Sequence, residues 1–285
     1  MSRIAYVNGR YRPQRDATVR IEDRGFQFAD GVYEVCEIRN ARIVDERRHM
    51  ERLQRSLGEV RIRLPMSLKA LSVILHETAR RNRVTDGIVY LQITRGVARR
   101  DFGFPAPSTP PSVIVTARNI DRARGEHVAA DGLAVVTVPE MRWARVDIKS
   151  VSLLPNVLAK QAARDQGAQE AWFVDARGFV TEGASSNAWI VTRDRKVVTR
   201  PLGHDILRGI TRTVVLEVIA AQELVLEERP FTVAEVLVAG EAFVTAASQI
   251  VTPVVRIDGK PIGEGRPGPV ALALRREFHR HAEFS

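Results

Sequence analysis

Cysteine is almost absent from this chain: a single one, Cys36, stands in 285 residues. That excludes any internal disulfide and any thiolate zinc cluster. Between Val35 and Glu37, in a strand-like run, the thiol reads as a small buried hydrophobe in a reducing compartment. Lysine is nearly as scarce. Of 43 basic residues only Lys69, Lys149, Lys160, Lys196 and Lys260 are lysine, and the rest are arginine. Long apolar runs are missing too: nowhere do about 18 uncharged apolar residues follow one another. The opening MSRIAYVNGRYR lacks the apolar stretch of a secretory signal. A membrane-spanning helix is not expected, and the cytoplasm is.

Familiar chemical motifs are also few. The six histidines offer no pair at i, i+4 with a glutamate between, so no metal site is expected. There is no phosphate-binding G-x-x-x-x-G-K-[ST] loop and no G-x-S-x-G nucleophile elbow. Gly263, Gly265 and Gly268 do spell G-x-G-x-x-G, but Pro267 interrupts it and too little chain follows for a βαβ unit. The formal charge of +9 raises the question of nucleic acid. The arginines alternate with Asp and Glu instead of forming a block, and no patch interleaves Arg with aromatics, so no nucleic-acid partner is expected.

What remains is an ordinary globular composition, 45% hydrophobic and 27% charged, at a length that predicts two domains. The first 45 residues read as short strands around Asn8-Gly9 and Asn40-Ala41 turns. Helices follow over about 46–62 and from Ser67, an N-cap, to about Arg83. Strands near 88–94 and 112–117 flank RGVARRDFGFPAPSTPP, a loop long enough to suggest function. The polar 119–130 stretch reads as a connection, so the expected division is a smaller α/β domain over 1–118 and a larger domain over 131–285. In the latter, strands near 133–138, 170–175, 187–192, 241–245 and 250–257 mix with helices near 155–166, 208–222 and 266–280. Hairpin signals at 175–178 and Asp258-Gly259 argue for an α+β fold and against a doubly wound sheet.

Three features carry chemistry. Lys149, in RWARVDIKSVSLLPN, is a lysine kept beside Val151, Leu153 and Leu154 in a chain that otherwise writes its positive charges as arginine. An amine in apolar surroundings loses its proton readily and forms a Schiff base, which a guanidinium does not. Glu182 sits in VTEGASSN, before a turn of Gly and small residues. A carboxylate of this kind holds a proton on the ring nitrogen of pyridoxal 5'-phosphate (PLP), which must be protonated to act as an electron sink. In ILRGITRT, Gly209, Ile210 and Thr211 open an apolar-periodic helix whose free amides and hydroxyl suit a phosphate.

Together the segments EDRGFQFADGVYEV, HMERLQRS, VYLQITRGVARRDFGFP, RWARVDIKSVSLLPNVLAKQAA, VTEGASSN, ILRGITR and FVTAASQIVTPV resemble, in order and spacing, the class IV PLP-dependent aminotransferases of fold type IV, and within them the D-amino acid aminotransferases. The resemblance implies a two-domain fold, a homodimer, PLP as coenzyme, and ping-pong transfer of an amino group from a D-amino acid to a 2-oxo acid such as 2-oxoglutarate. It places the Schiff-base lysine, Lys149, in the larger domain and pairs Glu182 with the pyridine nitrogen. Leu207 would lie against the ring. The phosphate would be held by Arg52, Gly209, Ile210 and Thr211, and by Ala246 and Ala247, which bring backbone amides where hydroxyls are often found. Tyr33 and Val35, on one strand face by period-two alternation, would meet the substrate with Arg100 and Phe102. A histidine is usual at the last position, so the carboxylate clamp loses a donor there. L-branched-chain aminotransferases and aminodeoxychorismate lyases share the lysine, the glutamate and the phosphate cradle. A non-catalytic basic nucleic-acid-binding protein is the rival from another class.

Overall fold

The computed structural model describes residues 3–285, and they divide into two compact units. The first unit holds the chain up to Arg122, together with Ile148–Ser152 and Glu283–Ser285. It contains β1 (Ile4–Val7), β2 (Arg10–Pro13), α1 (Arg24–Phe28), β3 (Gly31–Arg39), β4 (Arg42–Ile43), α2 (Glu46–Glu59), α3 (Leu68–Arg81), β5 (Gly87–Thr94) and β6 (Ser112–Asn119). The strands form one antiparallel sheet in the order β2-β1-β6-β5-β3-β4.

Alternation decides which face is covered. Val32, Cys36 and Ile38 of β3, Val89 and Leu91 of β5 and Val115 of β6 are buried in one cluster with Leu53 and Leu57 of α2 and Leu71 and Leu75 of α3. The opposite face carries Tyr33 and Val35, which stay half-buried. Ser67 caps α3 by accepting from the Ala70 amide, as its sequence position requires.

β4 pairs only with Ile38 and Arg39, so the start of β3 has a vacant edge. Backbone donors and acceptors left on such an edge must find partners. The 148–152 segment supplies them: the Tyr33 amide donates to the Lys149 carbonyl at 3.0 Å and the Val151 amide to the Gly31 carbonyl at 3.1 Å. This corrects the sequence expectation that Lys149 belongs with the larger second domain.

The second unit comprises Ala123–Asp147 and Leu153–Ala282. Its elements are α4 (Arg122–Asp131), β7 (Leu133–Pro139), α5 (Leu154–Asp165), β8 (Glu170–Val174), β9 (Val180–Gly183), β10 (Asn187–Val191), β11 (Val197–Thr199), α6 (Ile210–Ala221), β12 (Leu226–Glu228), α7 (Val233–Val238), β13 (Glu241–Ala246), β14 (Ile250–Ile257), β15 (Lys260–Pro261) and α8 (Pro269–His281). The main sheet runs β12-β11-β10-β13-β14-β7-β8-β9 and is mixed: β7 is parallel to both neighbours, whereas β10, β13 and β14 pair antiparallel. This is an α+β arrangement, as expected.

The 119–130 stretch is a second correction. It reads as a connection because it is polar, yet most of it is α4, which turns Ala129 inward and lays Val128 on the core of the second unit. Among the described residues no helix is long and apolar enough to cross a membrane.

Candidate active site

Lys149 reaches its place through the edge pairing just described, and that pairing sets it beside Tyr33. Its ammonium lies 4.3 Å from the centre of the Tyr33 ring, within cation–π range. Tyr33 in turn stacks on Tyr90 at 5.6 Å, and β3 and β5 set Val35 opposite Tyr90. No carboxylate among the described residues pairs with the Lys149 amine.

The other face of β3 carries Glu34, and period two aims it at α2. There Arg52 forks onto it, Nε to Oε1 at 2.8 Å and Nη2 to Oε2 at 2.7 Å, while His49 Nδ1 meets Oε2 at 2.7 Å. Arg52 and His49 sit three apart and therefore share one helix face. Sequence reasoning singled out Arg52 and missed the pair that holds it. The signal was present as a glutamate on the apolar face of a strand, where a carboxylate is seldom buried unpaired.

Burial pushes the Glu34 carboxyl up, but the Arg52 guanidinium and the His49 hydrogen bond outweigh it and hold the group down at about 2. Burial also lowers His49, against the pull of Glu34. Both shifts make the fold acid-sensitive. The stabilisation from Glu34 is complete above its ordinary 4.5 and is lost as pH falls toward about 2. His49 adds to the loss below 6.5, where the unfolded chain takes up a proton that the buried ring resists. Urea titrations at stepped pH on Glu34→Gln should show a flatter acid limb and about 3 kcal/mol less stability at neutrality. A limb as steep as in the parent would refute the assignment.

In the second unit, β9 carries Glu182 and β10 opens at Asn187. Glu182 Oε1 accepts from Arg142 Nη1 at 2.5 Å; Oε2 accepts from Asn187 Nδ2 at 2.9 Å and from the Leu207 amide at 3.0 Å. Asn187 also donates to the Leu207 carbonyl at 2.9 Å, so one side chain ties Glu182 to the 207 segment. Arg142 is shared, for Glu140 takes it bidentately at 2.8 and 2.6 Å and Thr181 donates to Glu140 at 2.7 Å. Burial raises the Glu182 carboxyl despite Arg142. Sequence reasoning overlooked Arg142 and Asn187.

Two residues after Leu207, Gly209 is the N-cap of α6 and offers no side-chain cap. A Cβ there would stand 2.2 Å from the Asn187 side-chain oxygen and would push aside the amide that Glu182 and Leu207 hold. The first amides of α6, at Ile210 and Thr211, have no intrahelical partner, and Thr211 is buried. β13 sets Thr245 opposite Asn187, and the chain then turns through Ala246 and Ala247, the Gln249 amide donating to the Ala246 carbonyl at 3.1 Å. The Thr245 hydroxyl is engaged by the Trp189 indole at 3.0 Å, and Ser248 is exposed.

The loop between β5 and β6 belongs to the first unit. Its Arg100 guanidinium lies 4.7 Å from the Phe28 ring centre, and Phe102 is 85% exposed.

These donor sets fit PLP. Lys149 is an amine without a counter-carboxylate. Around Arg142 two carboxylates share one guanidinium, an excess of one negative charge that suits a pyridinium. The bare glycine cap and unspent amides of α6 suit a phosphate. Among the described residues no group of His, Cys, Asp and Glu is arranged to hold a metal ion.

Comparison with known proteins agrees. The sequence model of the family described as "Amino-transferase class IV" matches residues 31–257. A D-alanine aminotransferase of Staphylococcus haemolyticus is 38% identical over 279 residues, covering 98% of this chain and 97% of its own. One from Bacillus licheniformis is 41% identical over 263 residues, covering 92% and 91%. Among solved structures, the branched-chain amino acid aminotransferase of Escherichia coli superposes with a TM-score of 0.90 at 23% identity, covering 98% of this chain and 94% of that one, a likeness of fold. The branched-chain aminotransferase of the archaeon Thermoproteus uzoniensis, solved with norvaline, gives 0.86 at 26% with the same coverages. The chain belongs to the class IV aminotransferases and is a PLP-dependent enzyme.

Proposed function

We propose that the enzyme transfers the amino group of a D-amino acid, D-alanine among them, to a 2-oxo acid. The observation that carries the reading is the Lys149 amine over the Tyr33 ring, with no carboxylate among the described residues paired to it. The relatives with 38% and 41% identity over nearly the whole chain, both D-alanine aminotransferases, support the choice of substrate.

PLP, when bound, supplies an electron sink for the bond to Cα. Every other task falls to the chain. Lys149 carries the coenzyme and afterwards moves the proton at substrate Cα. Glu182, its two oxygens fixed by Arg142 and Asn187, would hold the proton of the ring nitrogen, and Leu207 would lie against the ring. The amides of Ile210 and Thr211, the Thr211 hydroxyl and the bare Gly209 cap hold the phosphate with Arg52 and the amides of Ala246 and Ala247. Tyr33, Val35, Arg100 and Phe102 meet the substrate, with Arg100 and Tyr33 on its carboxylate. We further take the enzyme to be a cytoplasmic homodimer; the buried, unpaired Cys36 agrees with a reducing setting, and light scattering reads the mass.

A panel of D- and L-amino donors with 2-oxoglutarate, read beside the visible spectrum, tests the reading. D-alanine should exceed L-alanine by at least about tenfold in kcat/KM. The preparation should absorb near ~410–420 nm and lose that band with borohydride. With pyruvate as acceptor the product should be D-alanine. L-alanine alone would select the branched-chain reading, and pyruvate released from aminodeoxychorismate would select the lyase. A colourless protein with steeply salt-dependent DNA binding would remove both.

A further inference from the structure

The loop after β5 is long and exposed, yet arginine–aromatic contacts pin it to α1. Arg24 of α1 is buried, donating from Nε to Asp30 at 2.8 Å and from Nη1 to the Asp101 carbonyl at 2.6 Å, the backbone between Arg100 and Phe102. Its guanidinium also lies 4.8 Å from the Phe28 ring centre. Arg95 forks onto the same Asp30, at 2.7 and 2.9 Å, and caps α2 through the Arg61 and Val60 carbonyls. The Phe28 ring is therefore fixed on the same scaffold that fixes the loop backbone.

Arg100 is held differently. It has no carboxylate partner among the described residues, and its contact is with Phe28. Phe102 adds its ring to Phe28 at 5.5 Å. An exposed arginine that leans on an aromatic face keeps its N–H groups for another acceptor while giving up rotamers that would aim it elsewhere. Asp101, the carboxylate next in sequence, instead accepts from the Gly103 amide. An anion is the complementary ligand.

We propose that Phe28 is a positioning residue for substrate: its ring orients the Arg100 guanidinium toward the substrate carboxylate, with Phe102 closing the ring's flank. This deepens the functional reading above and rests on Arg100 binding that carboxylate.

The test uses the holoenzyme and four variants: Phe28→Leu, Phe28→Trp, Arg100→Ala, and the double variant Phe28→Leu with Arg100→Ala. Two readouts are taken, steady-state kinetics with D-alanine and calorimetric Kd for D-lactate, a non-reacting carboxylate. Phe28→Leu should raise both KM and Kd by about two- to fivefold, with kcat within about twofold and coenzyme absorbance unchanged. Phe28→Trp should restore both. In the Arg100→Ala background, Phe28→Leu should add nothing, because the group it orients is gone. Should the leucine variant fail to fold, Phe28→Met takes its place with the same expectations. An Arg100→Ala effect on KM and Kd with none from Phe28→Leu overturns the proposal alone. An equal Phe28→Leu effect with and without Arg100 also overturns it. If Arg100→Ala itself leaves KM and Kd as in the parent, the assignment of Arg100 falls and takes the role of Phe28 with it.

Discussion

Lys149→Ala is expected to lower transamination by at least about 10³-fold, because in the proposed roles it removes both the amine that would carry PLP and the base that would move the Cα proton. The fold should survive. The Lys149 side chain makes no ion pair among the described residues, and the bonds that seat the segment run through the backbone of Lys149 and Val151. Thermal unfolding of the variant should therefore stay within a few degrees of the parent. Single-turnover mixing with D-alanine gives the rate. Turnover within tenfold of the parent would remove Lys149 from the chemistry, and a collapsed melting temperature would mean that its side chain was structural after all.

Glu182→Ala should do two kinds of damage. The Leu207 N–H loses its acceptor, the Asn187 amide keeps only the Leu207 carbonyl, and Arg142 keeps Glu140, the Thr181 hydroxyl and the Asp205 carbonyl. Arg142 stays paired with Glu140, so the cost is that of buried donors left without their acceptor, about 1–3 kcal/mol each. Loss of the negative charge proposed to face the ring nitrogen should lower turnover by roughly 10²–10³-fold. Glu182→Gln separates the two effects: the shape is kept and the charge goes, so stability should recover by more than half while turnover stays low. Equal recovery of both would mean that the carboxylate acts only as a strut.

How much of this was legible in the sequence depended on whether a residue's task is local. Ser67, Gly209 and the alternation in β3 could be read because caps and period-two faces are set by a handful of neighbours. The short elements could not: β9, β11 and β15 span four, three and two residues, and a run of that length shows no period. α4 was hidden for another reason, since its residues are mostly polar and only Ala129 is buried. Lys149 was recognised by chemistry but assigned to the wrong unit, because the vacancy it fills is on a strand more than a hundred residues upstream. The partners of the candidate residues escaped in the same way. Glu34 for Arg52, Arg142 and Asn187 for Glu182, and Phe28 for Arg100 are all supplied by other elements, and such pairings appear only once the backbone has been folded.

The ladder that Gly31 and Tyr33 make with Lys149 and Val151 also sets an order of events at the ribosome. At about 5–20 residues per second, the leading edge of β3 waits for this rung while the opening of the second unit is still being made. Until that rung arrives the leading end of β3 is an open, sticky border. A slow codon stretch shortly before position 149 would prolong this exposure and should raise the yield of aggregate, although the finished molecule would be unchanged.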